Sequence, residues 1–161
     1  MHIIALCGVG GTGKTTTLKK LIGTLNKQCK VEGYGLLHPI AKGDEHLENA
    51  SLEEMLKSQT DVWAVFNYGG KRVGITSQGD ERKYLKEAFE HFEKCDISMC
   101  AVRSEGETKK FVKDKTNNSN GKLYIYRHIA VECPENERET LYDEVNLRQA
   151  TFLKEKLESL I

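Results

Sequence analysis

The sequence predicts an α/β fold of three layers: a mostly parallel sheet with one antiparallel hairpin strand, and helices on both faces. Three observations carry this. Short apolar runs alternate with segments of helical periodicity along the whole chain, the pattern of strand–helix–strand units. The first apolar run passes through a glycine-rich loop straight into a helix pattern. A Gly-Gly pair separates two adjacent strand patterns, which calls for a hairpin inside a sheet otherwise joined by crossovers. With 161 residues, no repeat and no linker, the chain reads as one domain spanning 1–161.

The elements follow in order. His2 to Cys7 (HIIALC) is a buried strand. After the loop, Leu18, Leu21, Ile22 and Leu25 recur at i, i+3, i+4 and i+7, the core stripe of a helix. A second strand falls near Lys30–Leu37, followed by a polar loop from His38 to Ala50. Ser51-Leu52-Glu53-Glu54 has the form of a capping box and opens a short helix with Leu52, Met55 and Leu56 inward. Val62–Phe66 and Arg72–Thr76 are the hairpin strands around Tyr68-Gly69-Gly70-Lys71. Residues 81–94 form an amphipathic helix on Tyr84, Leu85, Ala88, Phe89 and Phe92. Ile97–Val102 is a buried strand, 103–121 is polar, and Thr116–Gly121 reads as an exposed loop. Leu123–Val131 is a long strand closed by Pro134. Glu135 to Ile161 is a terminal helix with Leu141, Val145, Phe152, Leu153, Leu157 and Leu160 as its apolar positions.

The loop after the first strand carries the chemistry. Gly8-Val9-Gly10-Gly11-Thr12-Gly13-Lys14-Thr15 fits G-x-x-x-x-G-K-[ST] at every fixed position. Glycines at Gly8, Gly10, Gly11 and Gly13 admit positive φ and close approach of an anion to the backbone. Successive N–H groups, including those of Thr12 and Thr16, form an anion-binding concavity. The helix that follows adds free N–H groups and the positive end of its dipole. Lys14 is then expected on the β and γ phosphates and the Thr15 hydroxyl on Mg²⁺.

Residues 1–28 resemble the Walker A unit of the P-loop NTPase superfamily, and the Gly-Lys-Thr-Thr-Thr run is similar to loops of signal-recognition-type GTPases and small kinases. The resemblance implies a P-loop NTPase-like fold, a bound ATP or other NTP, and Mg²⁺. Partitioning ATPases carry an extra lysine near the start of this loop; Val9 stands there, so no lysine reaching across a dimer is implied. The guanine-reading Asn-Lys-x-Asp stretch is not matched by Asn26-Lys27-Gln28-Cys29, which favours adenine by elimination.

Such a loop needs a carboxylate at a neighbouring strand end to hold Mg²⁺. Asp61 and Asp96 precede their strands and are expected at the opposite edge. Val73 to Asp80 ends a strand and enters a helix, so Asp80 is the candidate metal-holding or catalytic carboxylate, or else the N-cap of the helix after it. Ser77 and Gln78 are placed to orient a water or the γ-phosphate. Arg103 follows the strand Ile97–Val102 and is expected on phosphate. Segment 103–122 carries six cations against three anions, and reads either as a basic lid or as a solvated helix surface followed by a loop. His38, Asp44, Glu45 and His46 match no metal spacing and read as a solvated loop.

Lys+Arg and Asp+Glu are both 24, so no global field draws the chain to nucleic acid, although a local patch remains compatible with one. There is no membrane-spanning run and no signal peptide. The five cysteines form no C-x-x-C pair, which points to free thiols in a cytoplasmic protein. Two function classes fit. The first is a Mg²⁺-dependent phosphotransferase in which Lys14, Asp80 and Arg103 act on a phosphoryl group passing to a nucleotide, a polynucleotide end or a small metabolite. The second is an NTPase switch that couples hydrolysis to a protein or nucleic-acid partner.

Overall fold

Alternation along the first strand divides the molecule. In β1 (His2–Cys7), Ile3, Ala5 and Cys7 point to one face of the sheet, and Ile4 and Leu6 to the other. The computed structural model describes residues 1–161. It contains a six-stranded sheet in the order β2-β3-β4-β5-β1-β6. The remaining strands are β2 (Lys30–Leu36), β3 (Val62–Tyr68), β4 (Lys71–Thr76), β5 (Ile97–Val102) and β6 (Leu123–Arg127). β1 pairs in parallel with both β5 and β6, and β4 in parallel with β5. β3 alone runs against its neighbours, antiparallel to β2 and to β4.

Five helices cover the two faces. α1 (Lys14–Asn26), α2 (Leu52–Lys57) and α5 (Arg138–Glu158) pack on the Ile4/Leu6 side. α3 (Arg82–Glu90) and α4 (Glu107–Asn118) pack on the Ile3/Ala5 side. The α1 stripe Leu18, Leu21, Ile22 and Leu25 is fully buried there. The Ser51 capping box forms, with Ser51 Oγ accepting from Glu54 N–H and the Glu54 carboxylate from Ser51 N–H. Gly69 and Gly70 turn the hairpin with φ of 57° and 78°, the paired positive values that only a tight primed turn demands. The fold is therefore α/β with a mostly parallel mixed sheet and helices on both faces, and no helix is long and apolar enough to cross a membrane. All five cysteines are free thiols.

Several boundaries move from the sequence reading. Segment 107–118 is helix α4, with Thr108, Phe111, Val112 and Thr116 buried, so the exposed loop begins only after Asn118. Phe111 and Val112 seat this helix in the core on the Ile3/Ala5 side. β6 stops at Arg127 because its single partner, β1, ends at Cys7, opposite Arg127. α3 ends at Glu90, and a turn beyond it sets the fully buried Phe92 into the core. The terminal helix starts at Arg138 after a 3₁₀ turn over Glu135–Glu137. Its buried stripe is Asn146, Gln149, Ala150, Leu153 and Leu157, whereas Phe152 stays 38 % exposed. The polar loop His38–Ala50 holds one 3₁₀ turn, Glu45–Leu47.

Where β4 crosses the end of α3, the Phe92 ring lies over Gly74. A Cβ on Gly74 would sit 2.6 Å from Phe92 Cγ. Overpacking of this kind costs about 1–3 kcal/mol. We expect Gly74→Ala to lower the urea midpoint by that amount at unchanged m-value, and an unshifted midpoint would show that the ring has room to move.

Candidate functional site

The β1–α1 junction builds the site because the chain must reverse there within a few residues. Gly11 (φ 73°) and Gly13 (φ 96°) take the left-handed conformation that makes the reversal possible. Gly13 ends the loop as the residue before α1, whose N-terminus has no side-chain cap and no acidic residue in its first turn. The backbone N–H groups from Gly10 through Thr16 consequently find no acceptor within the protein. Gly10, Gly11 and Thr16 are exposed, so these donors open to the cleft, and a consecutive set of free N–H groups at an uncapped helix start is an anion-binding feature. The loop lies at the carboxyl end of β1, between β5 and β6. The chain leaves β1 through α1 toward β2 and later passes back from β5 through α4 to β6, which makes this a switch point of an open sheet.

A cleft of about 540 Å³ opens over the loop. Its floor is Gly11 to Thr16, one wall is Gly79, Asp80 and Ala101, and the other is Glu139, Tyr142, Asp143 and Asn146 of α5. Lys14 is 5 % exposed and its Nζ donates to Val9 O at 2.6 Å, folding the ammonium over the loop. Burial lowers the Lys14 pKa below its ordinary value, and Asp80 opposes that shift. Thr12 Oγ1 donates to Val9 O at 3.0 Å, which tightens the loop, and Thr15 Oγ1 donates to Ser77 O at 3.4 Å.

The structure brings Lys14, Thr15, Asp80 and Arg103 to one place. Arg103 Nε lies 3.4 Å from Asp80 Oδ1, and the same guanidinium reaches over Gly10, where a Cβ would sit 3.8 Å from Nη1. Asp80 does not cap α3; Glu81 holds the N-cap position and no side chain caps the helix. Gly79 is forced by packing, since a Cβ there would run into the backbone of Ala101 on the neighbouring strand. Ser77 and Gln78 do other work than expected. Ser77 is fully buried, donating from Oγ to Asp61 Oδ1 at 2.6 Å and accepting from Val62 N–H. Gln78 Oε1 accepts from Gly79 N–H and Asp80 N–H at 2.6 and 2.8 Å, which shapes the turn that presents Asp80.

Asp61 is the main correction. It precedes β3, but β3 is the antiparallel strand, so the start of β3 lies beside the end of β4 at the ligand edge. Burial raises the Asp61 carboxyl above its ordinary pKa, and the Ser77 hydrogen bond partly offsets this. Asp96 does lie at the far edge, where it accepts from Arg72 N–H. In the His38–His46 loop, Asp44 accepts from Gln59 N–H, Thr60 N–H and Thr60 Oγ1, and His38 Nδ1 meets Glu87 Oε1. These are structural contacts, and no group of three or more His, Cys, Asp or Glu side chains is arranged to hold a metal.

Behind the loop lies a polar cluster that the sequence reading missed. Thr17 Oγ1 donates to Asn146 Oδ1 at 3.1 Å, and His128 Nε2 lies 3.2 Å from Thr17 Oγ1 and 3.1 Å from Asn146 Oδ1. With the Asn146 amide in this orientation its oxygen accepts from His128 Nε2–H, and the buried His128 Nδ1 has no protein partner. Asn146 also fills the space a Cβ on Gly13 would need, at 2.6 Å from its Oδ1. The signal was available: Asn146 and Gln149 share the 3–4 spacing of Ala150, Leu153 and Leu157 on a stripe where polar residues are out of place. Comparison with protein-family models, curated proteins and solved structures finds no match to this chain.

Burial holds the His128 imidazole below its ordinary pKa, so it is neutral in the folded protein. A depressed folded-state value means the unfolded chain takes up the proton first as pH falls. Stability from this group is complete above about pH 6.5 and declines below it, by at most about 1.4 kcal/mol per pH unit. We expect the wild type to lose more stability between pH 7.5 and 5.5 than His128→Gln does, measured by urea unfolding. Equal losses in the two proteins would contradict a buried neutral imidazole.

Proposed function

We propose that the protein is a P-loop nucleotide-binding domain that acts as a small Mg²⁺-dependent phosphotransferase, with ATP as the phosphoryl donor. The observation that carries this is the run of free N–H donors from Gly10 through Thr16, set around two positive-φ glycines at the start of an uncapped helix. Such an array favours a polyanion with several oxygens over any single carboxylate. The G-x-x-x-x-G-K-[ST] spacing agrees, and the missing guanine-reading stretch favours adenine by elimination.

The residues have distinct parts in this reading. Loop N–H groups bind the β and γ phosphates. Lys14 and Arg103 neutralise charge on the phosphoryl group as it moves, the main term in this chemistry. Arg103 pairs with Asp80, so it can turn to an anion only as that pair opens or as a metal ion takes the carboxylate, and Glu139 and Asp143 line the opposite wall. Thr15 and Asp80 are the residues that would hold Mg²⁺; one hydroxyl and one carboxylate suit an ion that keeps several waters and takes its other ligands from phosphate. An ion held there would supply charge neutralisation for the phosphates. The Thr17–His128–Asn146 cluster keeps the loop and α5 in register, so the donors are fixed before the nucleotide arrives.

Lys14→Ala removes one charge-assisted contact, worth about 1.5–3 kcal/mol. Calorimetry with ATP and Mg²⁺ is therefore expected to give a Kd raised by about tenfold or more, and an unchanged Kd would remove the assignment of the loop. Asp80→Asn is expected to lower turnover and Mg²⁺ dependence while leaving the melting temperature near that of the wild type. A variant that loses only melting temperature would make Asp80 a structural residue. In ADP-release assays, turnover that depends on an added acceptor distinguishes the phosphotransferase from an NTPase switch, whose turnover needs none.

A further inference from the structure

Asp80 is also a wall of a second cleft, of about 210 Å³, on the β2–β3–β4 side. Its polar lining comes from Asp61, Gln78, Asp80 and Glu81 together with His38, Gln59 and Thr60, and Leu37 and Tyr84 supply apolar surface. Two groups there have unused capacity. Asp61 Oδ1 accepts from Ser77 Oγ, and its second oxygen has no protein partner. Gln78 is 6 % exposed and its Oε1 is held by two backbone N–H groups, so the orientation of its amide is settled. Its Nε2 donates to nothing in the protein, and Gln78 lines the cleft. A deeply buried amide with a spare donor beside a carboxylate with a spare acceptor matches one functional group above others. A hydroxyl both donates and accepts, whereas a phosphate or carboxylate only accepts and would face Asp61 unpaired.

Charge and size restrict the ligand further. Three carboxylates, Asp61, Asp80 and Glu81, line the cleft and no Lys or Arg does. Arg103 is paired with Asp80, and Lys19, held by the carbonyls of Ser58 and Thr60 at 2.7 Å, offsets part of the charge of Asp61 without lining the cleft. Anionic acceptors are opposed by like charge. The volume corresponds to about seven waters at roughly 30 Å³ each, room for a small metabolite.

We propose that this cleft is the acceptor site, that it takes a small hydroxyl compound without phosphate, neutral or cationic, and that Asp61 is the base that receives the hydroxyl proton. This rests on the nucleotide reading of the adjoining loop. In the step, the acceptor O–H proton passes to the free Asp61 oxygen and the acceptor oxygen bonds to the γ-phosphorus. The bond from that phosphorus to the β–γ bridging oxygen breaks, and its electron pair leaves with ADP. Asp61 then releases the proton to solvent. Gln78 Nε2 holds the acceptor oxygen in line, and Leu37 and Tyr84 pack against its carbon skeleton. The reading selects the small metabolite over the nucleotide and the polynucleotide end.

The test is ADP release from Mg²⁺-ATP with three acceptor sets: sugars and polyols, amino alcohols and amino sugars, and nucleoside monophosphates with 5′-hydroxyl oligonucleotides. ATP affinity is measured separately by calorimetry. We expect at least a tenfold stimulation from a member of the first two sets and none from the third. Asp61→Asn keeps an oxygen for Ser77 and should lower acceptor-dependent kcat by about 10²- to 10⁴-fold with ATP Kd within twofold of wild type. Gln78→Glu keeps the oxygen that Gly79 and Asp80 use but removes the donor, and should raise the acceptor KM at least tenfold with native circular dichroism. ATP binding with stimulation only by the third set, or by none, overturns this proposal alone. An Asp61→Asn variant with native circular dichroism and wild-type kcat overturns the role of Asp61. Failure of ATP to bind overturns the nucleotide reading and this one with it.

Discussion

Three hydrogen-bonded side chains, Thr17, His128 and Asn146, fix the relation between the first helix, the end of the last strand and the terminal helix. The glycine-rich loop depends on that relation. Asn146 presses against Gly13 so closely that no side chain fits between them, and Gly13 must hold φ at 96° for the chain to enter α1. Separating these side chains would leave Thr17 Oγ1, Asn146 Oδ1 and His128 Nε2 without partners, in addition to the His128 Nδ1 that has none already, so the cluster favours this arrangement. The loop is thus held open from behind by side chains, and its N–H groups stay free in front. Pre-ordering of donors before a ligand arrives is the condition under which backbone dipoles are most effective.

A second constraint is the direction of β3. The Gly69-Gly70 turn makes β3 antiparallel to β4, which delivers the start of β3 to the edge where the parallel strands end. Asp61 therefore arrives beside Ser77 and two clefts share Asp80 as a wall. Carboxylates line both clefts, but only the first has the free N–H groups of the loop and Lys14 on its floor, and only the second has the spare amide donor of Gln78. The two clefts differ in the donors they offer, a row of backbone N–H groups and an ammonium in one and a single side-chain amide in the other.

Much of this was legible in the residues. Local signals were reliable where one interaction decides the outcome: the loop spacing, the Ser51 capping box, the Gly-Gly turn and the α1 stripe all correspond to elements at those positions. What could not be read depended on partners distant in sequence. The length of β6 is limited by where β1 ends, and His128 leaves the strand for that reason. The site face of α5 is polar at Asn146 and Gln149, so a search for apolar periodicity selected Phe152 and neglected them. Asp61 was assigned to the wrong edge because strand polarity was not carried through from the hairpin. Helix α4 was obscured by its charge, with Phe111 and Val112 as its few apolar anchors.

The central claim is that the free N–H groups of Gly10 through Thr16 receive the phosphates of a nucleotide. Amide-resolved NMR of the full chain during titration with ATP and Mg²⁺ addresses it directly. The account predicts saturable shifts largest at the amides of residues 10–16, with smaller ones at Asp80 and Arg103. Saturation that leaves those loop amides unmoved, or that moves a different surface, would contradict it.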